Sequence, residues 1–454
     1  MRGLALLIVF SGLLLMVFKR PYIGVLMWFW ISLMNPHRLV YGFATSVSYA
    51  MIIAIVTLGS WVLLHPEEPK APPRDRTTFL LAALMVWVSI TSLSAGGVSD
   101  QVINTWTEAE KMLLMTLVAY AMTNTRERFD QLVLVCTLSI AYFGVRGGIF
   151  AILHGGAFRV WGPPSSMIGD NNALGVALTM ILPLLFYLHH RYGQTHFKWP
   201  LRIVIGLTVL GDLFTYSRGG LLALGAMASV LWLRTRHKIV IGAAIVVAMV
   251  GVLYFAPPQW FDRMRTVQTY EEDQSANTRL WIWQTCWEMA LKYPVTGAGF
   301  RWAWNWTWTN QELRDSGLAP LTQPRAPHSI WFGMLSDHGF PGLGLFIGLL
   351  VVSMVNAQWL IRRTRGSPEL LWANNFGRML QAALVGYMVG GSFVNLEMYD
   401  AFYVMVVMSA AARRLVAVEL AARDPAAKAP LAGMLPLAPA SASPVRMGQS
   451  LIRR

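Results

Sequence analysis

Apolar stretches close to 20 residues long, interrupted by short polar segments, fill most of this chain. Such a stretch crosses a bilayer as an α-helix, because lipid forces the backbone to satisfy its own hydrogen bonds. The predicted spans are 3–18, 21–35, 41–64, 77–94, 108–123, 129–153, 172–188, 199–216, 219–234, 238–256, 341–361, 373–395 and 399–415. The first two are short enough to form a hairpin. The pattern predicts an all-α polytopic membrane protein of about 12 or 13 transmembrane helices.

Lysine and arginine are enriched in cytoplasmic loops, so their positions predict the topology. Basic loops follow residues 18, 64, 123, 188, 234, 361 and 415. The alternate loops are therefore predicted to be extracytoplasmic, and only one of them is long. The predicted domains are transmembrane helices over 1–256, this long loop over 257–340, final transmembrane helices over 341–416 and a disordered cytoplasmic tail over 417–454.

The composition is typical of a membrane protein, and this class of protein explains the positive net charge. The chain has 454 residues, of which 55% are hydrophobic and 13% charged, and its net charge is +14. Most of this charge comes from cytoplasmic anchor residues, so no nucleic acid partner is predicted. Cys136 and Cys286 form no CxxC motif, which excludes a disulfide framework and a structural zinc site. Met1–Phe18 lacks a small-residue cleavage site and is predicted to remain as a membrane segment.

Several arginines lie in the predicted extracytoplasmic parts of the chain, where positive charge is disfavoured. Arg218 lies between two spans that are joined by almost no loop, and Arg146 lies inside a span. Snorkelling to lipid headgroups is the alternative for Arg218, and structural pairing with Asp170 or Glu397 is the alternative for Arg146. A set of converging guanidinium groups would suit a diphosphate. The candidate diphosphate ligands are Arg218, Arg279, Arg265, Arg301 and Arg146.

The long loop is rich in tryptophan and contains a predicted amphipathic helix. Asn277 is the expected helix cap, and Trp283 with Trp287 would form one aromatic face of a helix on the membrane surface. These rings have two interpretations, interfacial anchoring and sugar stacking. The acidic run Glu271–Asp273 is typical of a solvated face, and the extracytoplasmic loops contain no DxD pair, so no metal or other cofactor is predicted.

Two histidines are the candidate catalytic residues. His328 is predicted at the start of a helix, where the dipole disfavours the protonated imidazole and so suits a general base. A structural histidine bonded to a neighbour is the alternative reading. His338 follows ten residues later, ~15 Å along a helix, so the two rings cannot hold the same atom. One of them could bind substrate while the other reacts.

Ordered motifs in the second half resemble those of the O-antigen ligase and polymerase superfamily. They are Tyr216-Ser217-Arg218-Gly219, Asn277-Thr278-Arg279, Thr296-Gly297-Ala298-Gly299-Phe300, His328-Ser329 and His338-Gly339-Phe340-Pro341-Gly342-Leu343. Met34-Asn35-Pro36-His37-Arg38 and the extended amino-terminal half resemble the branch of O-glycosylation ligases that accompany exosortase systems. The resemblance covers nearly the whole chain.

The resemblance implies a helical membrane glycosyltransferase of the C type, in the bacterial inner membrane with its active site facing the periplasm. Its donor would be a glycan linked to undecaprenyl diphosphate, and its acceptor a sugar hydroxyl of the lipid A core. By position, His328 matches the motif histidine, and Arg218 with Arg279 matches the essential arginines of the family. Asn usually follows that histidine, so Ser329 is a departure that leaves the substrate branch open.

The alternatives use the same chemistry or belong to another class of protein. Polymerisation of repeat units and transfer to a protein hydroxyl would differ only in the acceptor. A flippase or ion-coupled transporter of lipid-linked glycan would use arginines and aromatics without a base, and it would favour inverted repeats. The sequence contains no such repeat.

Overall fold

The computed structural model describes residues 2–94, 99–235, 238–265 and 274–423, which form α-helices and connecting turns without a β-strand. The helices of the amino-terminal half are α1 (Arg2–Val17), α2 (Tyr22–Met34), α3 (Tyr49–Gly59), α4 (Arg76–Leu93), α5 (Asp100–Met122), α6 (Arg126–Leu153), α7 (Asn171–Tyr192) and α8 (Lys198–Leu213). The helices that follow are α9 (Arg218–Arg234), α10 (Lys238–Phe255), α11 (Pro258–Arg265), α12 (Gln274–Lys292), α13 (Trp306–Asp315), α14 (Ile330–Arg363), α15 (Leu371–Gly391) and α16 (Asp400–Arg423).

The prediction of an all-helical chain is confirmed over these ranges, and each predicted span contains a helix. Length and composition identify α4, α6, α7, α14 and α16 as helices that could cross a membrane. Arg2–Val17 and Tyr49–Leu64 are apolar as well but shorter.

Helix ends differ from the predictions where polar residues continue a helix beyond its apolar stretch. Helix α5 begins at Asp100 rather than 108, because the Ser99 side chain accepts a hydrogen bond from Val102 N and caps it. Helix α16 continues to Arg423, so the predicted tail begins later than 417. The remainder of the tail, 424–454, lies outside the described residues.

Helices α7 and α15 lie at the centre of the bundle and approach each other closely through glycines. A Cβ at Gly386 would lie 2.8 Å from Thr179 Cγ2, and one at Gly390 would lie 2.6 Å from Val176 Cγ2. Small residues permit this separation between helices in a membrane. A Cβ at Gly391 would lie 2.5 Å from Ile330 Cδ1, so the end of α15 also fixes the start of α14.

Helix α14 contains a sharp break at Gly339, where φ is 70° and ψ is −173°. Pro341 lacks an N–H, and its ring disfavours a continuous helix. The freed carbonyls of Ser336 and Asp337 accept hydrogen bonds from the amides of Ala298 (2.8 Å) and Gly299 (3.0 Å). The Thr296–Phe300 motif therefore supports the break, which is a structural role for these residues.

We expect Gly339→Ala to destabilise the protein by at least ~1–3 kcal/mol, because alanine would be held at a left-handed φ. Its Cβ would also lie 2.3 Å from the Val295 carbonyl oxygen. Thermal unfolding of the purified protein in detergent measures the effect. Gly344→Ala is the matched control in the same helix, since a Cβ there has no neighbour within 4 Å. Equal midpoints for the two variants would contradict this account of the break.

Candidate active site

His328 lies in the turn that leads into α14, two residues before the helix begins. Ser329 is the helix cap, and its side chain accepts a hydrogen bond from Phe332 N. His328 itself has a left-handed φ of 49°, which is strained for a residue with a side chain. Its backbone N–H donates to Asn395 Oδ1 at 2.6 Å, and its Nδ1 lies 3.5 Å from Asn395 Nδ2. Asn395 thus supports the strained conformation that presents the imidazole.

The surroundings of His328 favour its neutral form. The imidazole is accessible to solvent, yet the protein around it removes enough hydration to lower its pKa. The positive charges of Arg279 and Arg325 lower this pKa further, while the negative charge of Asp170 opposes them. A neutral imidazole at neutral pH can accept a proton, as a general base must.

Helix α12 brings Arg279 to this histidine. Trp283 of α12 donates from Nε1 to the Pro327 carbonyl oxygen at 2.8 Å and stacks on Phe332 with ring centroids 5.4 Å apart. Both contacts join α12 to the segment that carries His328. The helix begins at Gln274, so the prediction that Asn277 caps it is wrong, and Arg279 lies in its second turn.

Arg218 is the first residue of α9, where Ser217 caps the helix by accepting from Gly220 N at 2.9 Å. The preceding residue, Tyr216, has a left-handed φ of 59°. A Cβ at Gly219 would lie 3.1 Å from Phe393 Cβ, so the start of α9 contacts the loop that also contains Asn395. Arg218 is half-buried beside this loop.

Arg301 lies at a small cavity near His328 rather than beside the imidazole. Its φ is 54°, and its guanidinium carbon lies 5.2 Å from the centroid of the Trp304 ring. Arg325 and Glu397 also line this cavity. Burial raises the pKa of Glu397 to about 7, and the charge of Arg301 opposes that shift.

His338 is completely buried and is separated from the solvent-accessible His328. Its Nδ1 lies 2.7 Å from Thr91 Oγ1, and its carbonyl oxygen accepts a hydrogen bond from Trp87 Nε1 at 2.9 Å. The Phe300 ring meets the imidazole edge-on at 4.4 Å. These contacts connect α4 to the break in α14, so His338 helps to hold the two helices in position.

One predicted arginine, Arg146, is not brought to His328 by the described contacts. Arg146 is exposed on α6, and within the described ranges neither Asp170 nor Glu397 forms an ion pair with it. The Arg265 side chain lies outside the described residues.

Sequence reasoning missed Asn395 and did not include Arg325 or Glu397 among the site residues. The available signal was the Phe393–Met398 turn, whose polar residues follow an apolar span on the predicted extracytoplasmic side. Nothing in the sequence pairs this turn with His328, because 67 positions separate His328 from Asn395.

Comparison with known families gives two matches, which cover separate parts of the chain. Residues 203–347 match the family described as O-antigen ligase, a segment that contains Arg218, Arg279 and His328. This segment belongs to the O-antigen ligase superfamily. Residues 1–193 match a family of unknown function (DUF5935). No curated protein matches the chain.

Proposed function

We propose that this protein is an O-antigen ligase that completes lipopolysaccharide in the periplasm. It transfers a glycan from undecaprenyl diphosphate to a sugar hydroxyl of the lipid A core, with inversion at the anomeric carbon. The observation that carries the proposal is a neutral, solvent-accessible His328 beside Arg279, inside the segment that matches O-antigen ligases.

The proposed topology has about 12 transmembrane helices in the bacterial inner membrane, in a glycosyltransferase C-like arrangement. The loop 257–340 then faces the periplasm, together with the starts of α9 and α14. The alternation of basic loops supports this orientation. It places His328, Arg218 and Arg279 on the side of the membrane where the lipid-linked glycan is expected.

The proposed reaction is a single displacement. The acceptor oxygen bonds to the anomeric carbon while the bond from that carbon to the diphosphate oxygen breaks. The hydroxyl proton passes to the His328 imidazole, and the diphosphate leaves with the bonding electron pair. Attack from the face opposite the leaving group inverts the anomeric centre.

The diphosphate is already a good leaving group, so the protein needs mainly to stabilise its developing negative charge. Arg279, whose charge acts on His328, and Arg218 at the start of α9 would supply planar donors to the diphosphate. Asn395 holds the backbone of His328 and thereby orients the base.

Reconstitution of the purified protein in liposomes tests the proposal. Undecaprenyl diphosphate-linked glycan and lipid A core are added, and products are separated by size. A single glycan on lipid A core supports ligation, whereas lengthened glycan on the lipid carrier indicates a polymerase, and glycosylated protein indicates a protein ligase. Movement of the donor across the bilayer without any transfer would indicate a flippase.

We expect transfer to continue in excess chelator. Among the described residues, no group of three or more His, Cys, Asp or Glu side chains is arranged to hold a metal ion, and arginines are proposed to stabilise the leaving group instead. The measurement is the transfer rate with and without chelator. Loss of transfer that Mg²⁺ or Mn²⁺ restores would contradict a mechanism based on arginine alone.

A further inference from the structure

A cavity of about 140 Å³ lies beside the proposed base and has no role in the proposed displacement. Ligand sites for drug-sized molecules are typically ~300–1,000 Å³, so this cavity suits a single sugar ring rather than an oligosaccharide. Its lining includes Pro327, which precedes His328, and Asn395, which supports it. The cavity is therefore continuous with the candidate active site.

The lining combines the two kinds of side chain that bind sugars. The carboxyl groups of Asp337 and Glu397 and the guanidinium of Arg301 can form hydrogen bonds to hydroxyl groups, whereas the Trp304 ring can cover an apolar sugar face. An apolar lipid chain would offer these polar groups no hydrogen-bond partner. The chemistry favours a hydroxyl-rich ligand.

Glu397 has unused hydrogen-bonding capacity in this cavity. Its Oε2 atom is buried and accepts no hydrogen bond from the described residues. A Cβ at Gly333 would lie 3.0 Å from the carboxylate, so Glu397 is held against the first turn of α14. Asp337, in contrast, bonds the Ser336 hydroxyl and the Arg301 backbone amide. Buried polar atoms normally form hydrogen bonds. A ligand in the cavity can therefore supply the hydrogen-bond donor that Glu397 Oε2 lacks among the described residues.

The cavity is lined by different parts of the chain from those that carry the proposed diphosphate ligands. Arg218 and Arg279 belong to α9 and α12, and the described lining contains no residue of either helix. The lining comes instead from α5, from α14 just before its break and from loops around 167, 300–304, 325–327 and 395–398. The cavity is thus lined by parts of the chain other than the helices that carry the proposed diphosphate ligands.

We infer that this cavity is the acceptor subsite, where one sugar ring of the acceptor binds and donates a hydroxyl hydrogen bond to Glu397. The inference rests on the proposed function and adds the place where the acceptor is recognised. Thr105 and Met167 complete the cavity from the segment that matches the family of unknown function. That amino-terminal segment accordingly contributes to the choice of acceptor.

Transfer kinetics test the role of Glu397. Glu397→Gln retains size but replaces one accepting oxygen with an amide nitrogen that only donates, so the KM for lipid A core should rise about 10- to 100-fold. The KM for the lipid-linked donor should not change, and kcat should stay within about twofold, because the lost contact is made equally before and during reaction. Glu288→Gln is the matched control, a half-buried glutamate outside the lining. An unchanged acceptor KM in Glu397→Gln would overturn the inference.

Protection from thiol labelling tests the subsite without catalysis. The native thiols, Cys136 and Cys286, are buried, so a cysteine introduced as Thr105→Cys reports on the cavity. Lipid-free core oligosaccharide should slow its reaction with N-ethylmaleimide at least about fivefold, and Glu397→Gln should remove this protection. Ser316→Cys, an exposed position outside the lining, should not be protected.

The labelling results separate failure of the inference from failure of the proposed function. No protection by core oligosaccharide, or protection by undecaprenyl diphosphate alone, would overturn the acceptor subsite even if wild-type protein transfers glycan. Protection by core oligosaccharide in a protein that transfers no glycan would uphold the sugar site and refute the ligase activity.

Discussion

His328→Ala is expected to lower the transfer rate by ~10²–10⁴, the usual contribution of a general base. The imidazole is kept neutral by partial burial and by the charges of Arg279 and Arg325, and Asn395 fixes the backbone that carries it. Removal of the ring leaves the acceptor hydroxyl without a proton acceptor at that place. Single-turnover transfer by purified protein in liposomes measures the loss.

The same variant should still insert into the membrane and bind the lipid-linked donor, because the arginines remain. His154→Ala is the matched control, since this exposed histidine bonds only the Phe150 carbonyl of its own helix among its described hydrogen bonds. Near wild-type turnover in His328→Ala would contradict its assignment as the base. The remaining candidate would be His338, whose complete burial requires the protein to open before substrate reaches it.

Arg218→Lys and Arg279→Lys should each lower transfer roughly 100-fold, comparable to the loss of a donor that stabilises transition-state charge. Lysine retains the positive charge but lacks the planar fork that donates two parallel hydrogen bonds to phosphate. If these residues only anchored the protein to lipid headgroups, lysine would snorkel equally well. Activity would then survive the substitutions.

Transfer rates for the lysine variants must be normalised to protein in the membrane, so that insertion and chemistry are measured separately. Arg314→Lys is the matched control, an exposed arginine on α13 that lines no part of the cavity. Full activity in both Arg218→Lys and Arg279→Lys would remove the diphosphate clamp from the mechanism.

Much of the fold could be predicted because membrane helices leave a strong local signal. The backbone N–H and C=O groups of each apolar stretch form their hydrogen bonds within that stretch. Its length and composition therefore suffice to locate a helix. Errors occurred at polar ends, as at Ser99 before α5 and at Asn277 within α12. There the helix boundary depends on capping and on contacts that the apolar pattern does not contain.

The candidate site was predictable only in part. His328, Arg218 and Arg279 could be named because their motifs resemble those of a family and because arginine is unusual in extracytoplasmic loops. The resemblance matched His328 to the motif histidine, but the sequence left open whether His328 or His338 is the base. The structure shows that His338 is enclosed by Thr91, Trp87 and Phe300 from distant parts of the chain.

The sequence by itself determined the helical class and the approximate positions of the helices and offered two candidate bases, because each of these depends on residues close together in the chain. Only the tertiary structure decided the partners: Asn395 binds the backbone of His328, and Glu397, Arg301 and Thr105 line one cavity. Such partners come from loops and helices far apart in sequence. Helix packing through glycines such as Gly391 brings them together, and no local pattern encodes which helices will meet.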